Sequence, residues 1–145
     1  MLGQSSIFIA RLAASQVEVD ALFIKGLPKT DGLHVADFVA GNKYTITPPT
    51  GMGVLLSRIE FWSSVYTRWN LVLTNGVVTE TEQLMSSVAG FVNACKFRPA
   101  LPIAAGIPAV FSPLDLVAHD RFTVRASFVF YNPGRTQATQ SPPLP

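Results

Sequence analysis

Few side chains in this 145-residue sequence could carry covalent or acid–base chemistry: one cysteine, Cys95, and two histidines, His34 and His119. A thiol becomes a useful nucleophile only where a neighbour lowers its pKa. In "VNACKF" the thiol sits among apolar residues, and Lys96, next to it on a strand, points to the opposite face. The expectation is a buried, inert cysteine. For a metal, "HVADF" offers His34 and Asp37 and "AHD" offers His119 and Asp120. Two imidazoles and two carboxylates could hold zinc if their loops converged. No dense His-x-His pattern supports that, and a solvated turn is the ordinary place for such residues. The chain has no Gly-x-Ser-x-Gly elbow, no Gly-x-Gly-x-x-Gly loop and no Walker-type phosphate cradle; "GMG" at Gly51 to Gly53 reads as a turn. Glu60, Glu80, Asp115 and Asp120 could be drawn into a glycosidase-like carboxylate pair, but sequence supplies no separation between them. The reading is a protein without a catalytic site, a metal or a cofactor.

Binding chemistry is better represented. Phe61, Trp62, Tyr66 and Trp69 lie close together in sequence. Trp62, Tyr66 and Trp69 could form an exposed platform for a sugar or receptor, or the apolar centre of a subunit contact. Trp62 shares its parity with Arg58 and Glu60, which makes it the best candidate for an exposed ring. The stretch "RFTVRASFVFYNPG" alternates strictly: Phe122, Val124, Ala126, Phe128 and Phe130 fall on one side of a strand, and Arg121, Thr123, Arg125, Ser127 and Tyr131 on the other. That outer row could face water, form the polar rim of an interface, or read a ligand; Arg121, Arg125 and Tyr131 are its candidate contact residues.

The elements that must position these groups read as strands. "SSIFIARLAA" and "QVEVDALFIKG" look extended, "GLPKTDG" looks like a loop boundary, and "YTITPPTGMG" gives a brief strand stopped by Pro48 and Pro49. The run Val54 to Leu73 is too long for one strand and should break near Ser63 and Ser64. Asn75-Gly76 between two β-rich runs predicts a type I′ hairpin. In "TETEQLMSSVAGFVNACKF", Thr79 and Glu82 have capping-box spacing and Leu84, Val88, Val92 and Cys95 recur at near-helical intervals, which predicts one short helix near residues 80–95. Prolines 99, 102, 108 and 113 then exclude a helix and disfavour central strands.

Together these features predict a mainly β fold, an antiparallel β-sandwich that is jelly-roll-like. It should form a single domain over residues 1–134, followed by a Pro-rich C-terminal arm over 135–145. Charged residues are 14% of the chain and hydrophobic ones 48%, against about 25% charged in an average domain. So charge-poor a domain should cover part of its surface with partners. A net charge of +2, with seven arginines and four lysines scattered along the chain, argues against nucleic acid as a partner. No apolar run is long enough to span a membrane, and the start lacks the basic leader of a signal peptide. A lone cysteine excludes an internal disulfide and fits folding in a reducing cytoplasm.

The segment "PAVFSPLDLVAHDRFTVRASFVFY" resembles the closing segment of small jelly-roll phage virion proteins of the decoration, cement, fibre or spike-head type. There a leucine-rich edge leads into a Gly-Asp-like turn, here His119 and Asp120, and then into a long alternating final strand. The resemblance covers the last quarter of the chain. It implies a self-associating virion subunit made in the host cytoplasm, with identical copies, a trimer first among them, and a capsid or other virion protein as partners. It transfers no catalytic residues. The alternative is a carbohydrate- or receptor-binding β-sandwich that takes a cell-surface glycan on its aromatic residues.

Overall fold

Alternation of apolar and polar residues along the chain is realised as eight strands in the computed structural model, which describes residues 29–131. They are β1 (Lys29–Val35), β2 (Tyr44–Ile46), β3 (Gly53–Ser63), β4 (Trp69–Thr74), β5 (Thr79–Gln83), β6 (Asn93–Ile103), β7 (Ala109–Pro113) and β8 (Phe122–Tyr131). The antiparallel pairs nest: β1 with β8, β2 with β7, β3 with β6, and β4 with β5. The chain is thus one long hairpin with its tip at β4–β5. Further pairing of β8 with β3 and of β7 with β4 rolls that ribbon into two sheets, ordered β1-β8-β3-β6 and β2-β7-β4-β5. This wrapping is the jelly roll, and the sandwich expected from sequence is present.

The inner faces carry the expected residues. Phe122, Val124, Ala126 and Phe128 of β8 are buried, as are Ile59 and Phe61 of β3 and Leu71 and Leu73 of β4. In β3 the buried parity changes: Val54 and Leu56 are also fully buried. A register shift between Leu56 and Arg58 explains this. Against β8 Ser57 is the extra residue, its hydroxyl donating to the Ser127 carbonyl at 2.9 Å, and a bulge of this kind lets both halves of a long strand face one core.

Several expectations are corrected. There is no helix among the described residues. Thr79–Gln83 instead forms the β5 ladder opposite Asn70–Thr74, residues 84–92 are irregular, and Gly90 takes φ +78°, which a helix excludes. Val88 and Val92, read as a helical core face, are exposed. The β4–β5 turn has four residues instead of two. Only Gly76 takes positive φ, and the Asn75 side chain accepts from the amides of Val77 and Val78 at 2.8 and 2.7 Å, an Asx-type turn. "KTDG", read as a loop, opens β1. β6, which holds Pro99 and Pro102, is an edge strand as prolines require, whereas β7 is internal, with Pro113 as its last residue and Pro108 just outside it. The sequence-based strands within 5–14 and 16–26 and the arm over 135–145 lie outside the described residues.

Candidate functional site: the apolar loop end

The nested pairing fixes which loops meet. The β1–β2, β3–β4, β5–β6 and β7–β8 connections all emerge at one end of the sandwich, because each antiparallel pair aligns the end of one strand with the start of its partner. Main-chain bonds lock them together: Phe38 N to Asp120 O at 2.8 Å, Ser64 N to Arg121 O at 2.9 Å, and Ser87 N to Thr67 O at 2.9 Å. A buried relay supports the β5–β6 loop from below. Trp69 Nε1 donates to Ser87 Oγ at 2.8 Å, the Ser87 and Ser63 hydroxyls lie 2.5 Å apart, and Ser63 Oγ donates to the Val65 carbonyl at 2.6 Å. With Ser63 spending its proton on Val65, Ser87 must donate to Ser63, so each hydroxyl is satisfied.

On this frame sit the exposed apolar side chains. Val39 comes from the first loop, Val65 and Tyr66 from the second, Met85, Val88, Phe91 and Val92 from the third, and Leu114 and Val117 from the fourth. Among the described residues, Val77 alone of the exposed large hydrophobics lies elsewhere. Residues 84–92, "LMSSVAGFV", contain no charged group. Several of the charges at this end are engaged within the chain, while Lys43, just before β2, is exposed. Arg68 grips Asp115 through its backbone N and Nε to Oδ2 at 2.8 and 2.9 Å and through Nη2 to Oδ1 at 2.7 Å. His119 Nδ1 meets Asp37 Oδ1 at 3.0 Å, and Asp120 Oδ2 accepts from the Val117 amide at 2.8 Å. His119 takes φ +76°, the left-handed conformation that glycine adopts more easily in such a turn.

The Arg68 side chain, above all through its hydrogen bonds, holds the Asp115 carboxyl at about 2, below the usual carboxylate range. A depressed folded pKa gives stability that is fully present above the unfolded value, about 4, and is lost as pH falls through the folded one. The thermal midpoint should therefore decline between about pH 4 and pH 2, and Asp115→Asn should flatten that part of a pH–stability curve followed by circular dichroism.

The sequence candidates are dispersed. Trp69 is fully buried and belongs to the core, which removes it from any ligand platform. Tyr131 is likewise buried, contrary to its place in the outer row: its ring covers Gly53 and its hydroxyl donates to the Ile103 carbonyl at 3.2 Å. Tyr66 is exposed at the loop end, its hydroxyl 3.2 Å from Ser86 Oγ. Trp62, Arg121 and Arg125 remain on the outer face of the β1-β8-β3-β6 sheet. There Trp62 pairs with Thr123 and Glu60 with Arg125, Arg58 donates to Glu60, and the Arg121 guanidinium lies 5.8 Å from the centre of the Trp62 ring, a cation–π contact. The structure thus brings Trp62 and Arg121 together and leaves the other aromatics apart.

The metal reading finds no support in the geometry. His34 Nδ1 bonds Thr123 Oγ1 at 2.8 Å, His119 goes with Asp37, and no group of three or more potential ligands occurs among the described residues. Cys95 is buried, and that burial pushes its thiol pKa up, away from reactivity. The apolar run Leu84 to Val92 was hidden by the helical reading; its signal was nine consecutive residues without a charge.

No protein-family model and no curated protein matches this chain. Among solved structures, two variants of a family 29 carbohydrate-binding module, CBM29-2, are similar in layout. One is 13% identical, with 75% of this chain and 87% of that one covered at a TM-score of 0.33. The other is 12% identical, with 76% and 88% covered at 0.34. At that level the likeness carries no functional statement. No helix among the described residues is long and apolar enough to cross a membrane.

Proposed function

We propose that this protein is a non-enzymatic structural subunit that works by self-association, with the loop end as its contact surface, in a virion component of the decoration, cement or spike type. The observation that carries the reading is the gathering of nine exposed apolar side chains at one end, beside the Arg68–Asp115 and His119–Asp37 pairs. These side chains, 38 to 67% exposed, present on the order of 800 Å² of surface, roughly what each partner contributes to a stable interface. An apolar patch also suits contact with another copy, since it brings no unpaired charge into a twofold or a ring interface. A closed ring such as a trimer would cover the patch and limit growth.

Phe91, 67% exposed, should be an anchor of that contact. Sedimentation of the protein should show an oligomer, and Phe91→Asp should weaken the assembly by about thirtyfold or more, the effect of an interface hot spot, without changing the circular dichroism spectrum. A monomer at every concentration tested, with no affinity for a virion shell, would overturn the reading. A second reading, recognition of a cell-surface glycan, is favoured by a polar and aromatic groove between β1 and β2, lined also by Phe128 and Phe130 of β8.

A further inference from the structure

The seam between the two sheets opens where β1, at the edge of one, faces β2, at the edge of the other. A cavity of about 420 Å³ lies there, within the range of small-ligand sites. Its apolar floor is Ile46 and Phe128, both buried, with half-buried Phe130, and its exposed rim carries Lys29, Asp31 and the threonines Thr30, Thr45 and Thr47. The rim charges cancel, one ammonium against one carboxylate, so a strongly charged ligand of either sign meets a like charge beside its partner. An uncharged ligand rich in hydroxyls meets no such penalty and finds both donors and acceptors.

The acceptor is held in place. The Tyr44 hydroxyl donates to Asp31 Oδ2 at 2.9 Å, which fixes the carboxylate and leaves Oδ1 for a ligand. Burial, with the Asp31 carboxylate beside it, pushes the Tyr44 phenol well above its usual range, so it remains a donor throughout the working pH range. Lys29 Nζ lies 6.0 Å from the centre of the Phe130 ring, which places the ammonium beside an aromatic face. A ring with an apolar C–H face and equatorial hydroxyls matches this arrangement: the face packs on Phe130 while the hydroxyls reach Asp31, Lys29 and the threonines.

We infer that the β1–β2 seam is a binding site for a neutral sugar, such as a terminal residue of an exposed glycan. This rests on the second reading, and it locates the contact away from the aromatic residues picked out by sequence.

The test is an NMR titration of the full chain with glucose, galactose, mannose and N-acetylglucosamine, each to tens of millimolar, on wild type, Asp31→Ala and Thr47→Val. The result expected is saturable shifts in amides 29–31, 45–47 and 128–130 with at least one sugar, with affinity about tenfold lower in Asp31→Ala and reduced in Thr47→Val. Thr47→Val leaves the Tyr44–Asp31 pair intact, so it keeps the test valid if Asp31→Ala unfolds. Sugar-dependent shifts centred on Trp62 and untouched by both variants would overturn the site and leave glycan recognition standing. No shift with any neutral sugar would overturn both, and seam shifts produced only by sialic acid or only by an extended peptide would overturn the ligand class.

Discussion

Replacing Trp69 with alanine should lower the unfolding free energy by about 4 kcal/mol, a large part of the roughly 5–15 kcal/mol that holds a domain folded. The indole is fully buried. It stacks on Phe61 at 4.4 Å between centroids and 17° between planes, and meets Phe122 edge-on at 5.4 Å and 80°. Alanine leaves a cavity between the two sheets and removes the donor to Ser87 Oγ. The relay from Ser87 to Ser63 and Val65 then loses its anchor beneath the apolar loop. Trp69→Phe keeps the stacking and should cost about half as much, since it gives up the hydrogen bond and part of the volume. Urea unfolding measures both, and the alanine variant should also lose self-association because residues 84–92 are no longer held. A loss below about 1 kcal/mol for Trp69→Ala would contradict the packing.

That role was open to the sequence in one respect. Trp69 shares its parity with Leu71 and Leu73, while Asn70 and Thr74 lie opposite, so alternation alone puts the indole with the core of β4. Its nearness in sequence to Trp62 and Tyr66 suggested a platform, but nearness along a chain that turns between Ser63 and Trp69 says nothing about a shared face. The placement of Trp62 and of β8 followed from the same alternation, because a strand with one wet face writes its orientation residue by residue. Tyr131 broke the pattern for a reason no local reading holds: its partner in the ladder is Gly53, whose missing side chain makes room for the ring. Residues 79–92 misled for the opposite reason. Their local spacing satisfies a helix, but Thr79–Gln83 finds a ladder opposite Asn70–Thr74, and tertiary pairing overrides weak propensity. The loop end was illegible for want of topology, since its apolar residues are spread from Val39 to Val117 and meet only once the nested pairing is known.

Gly32→Ala should be nearly as damaging as the loss of the indole, and more local. Gly32 pairs with Arg125 in the β1–β8 ladder. A Cβ placed on it would lie 2.3 Å from the Val124 carbonyl oxygen and 3.4 Å from Arg125 Cα. Both are main-chain atoms of a strand held on its far side by β3, so no rotamer change relieves the overlap and β1 itself must move. At Gly53 the clash is with the Tyr131 ring, 2.4 Å from Cζ, and a side chain can yield where backbone cannot. Gly32→Ala should therefore cost about 3 kcal/mol, at the upper end of overpacking effects, and Gly53→Ala less. The strain should appear as faster amide exchange along Lys29–Val35, with β3, β4 and β6 protected as before. Because β1 forms one wall of the seam and the apolar loop end depends mainly on the β3–β4 and β5–β6 connections, this variant should lose any sugar-dependent shifts at amides 29–31 while keeping its oligomeric state. Loss of both together would mean that the two surfaces are not independent. A Gly32→Ala protein as stable as wild type would mean that β1 does not lie this close to β8.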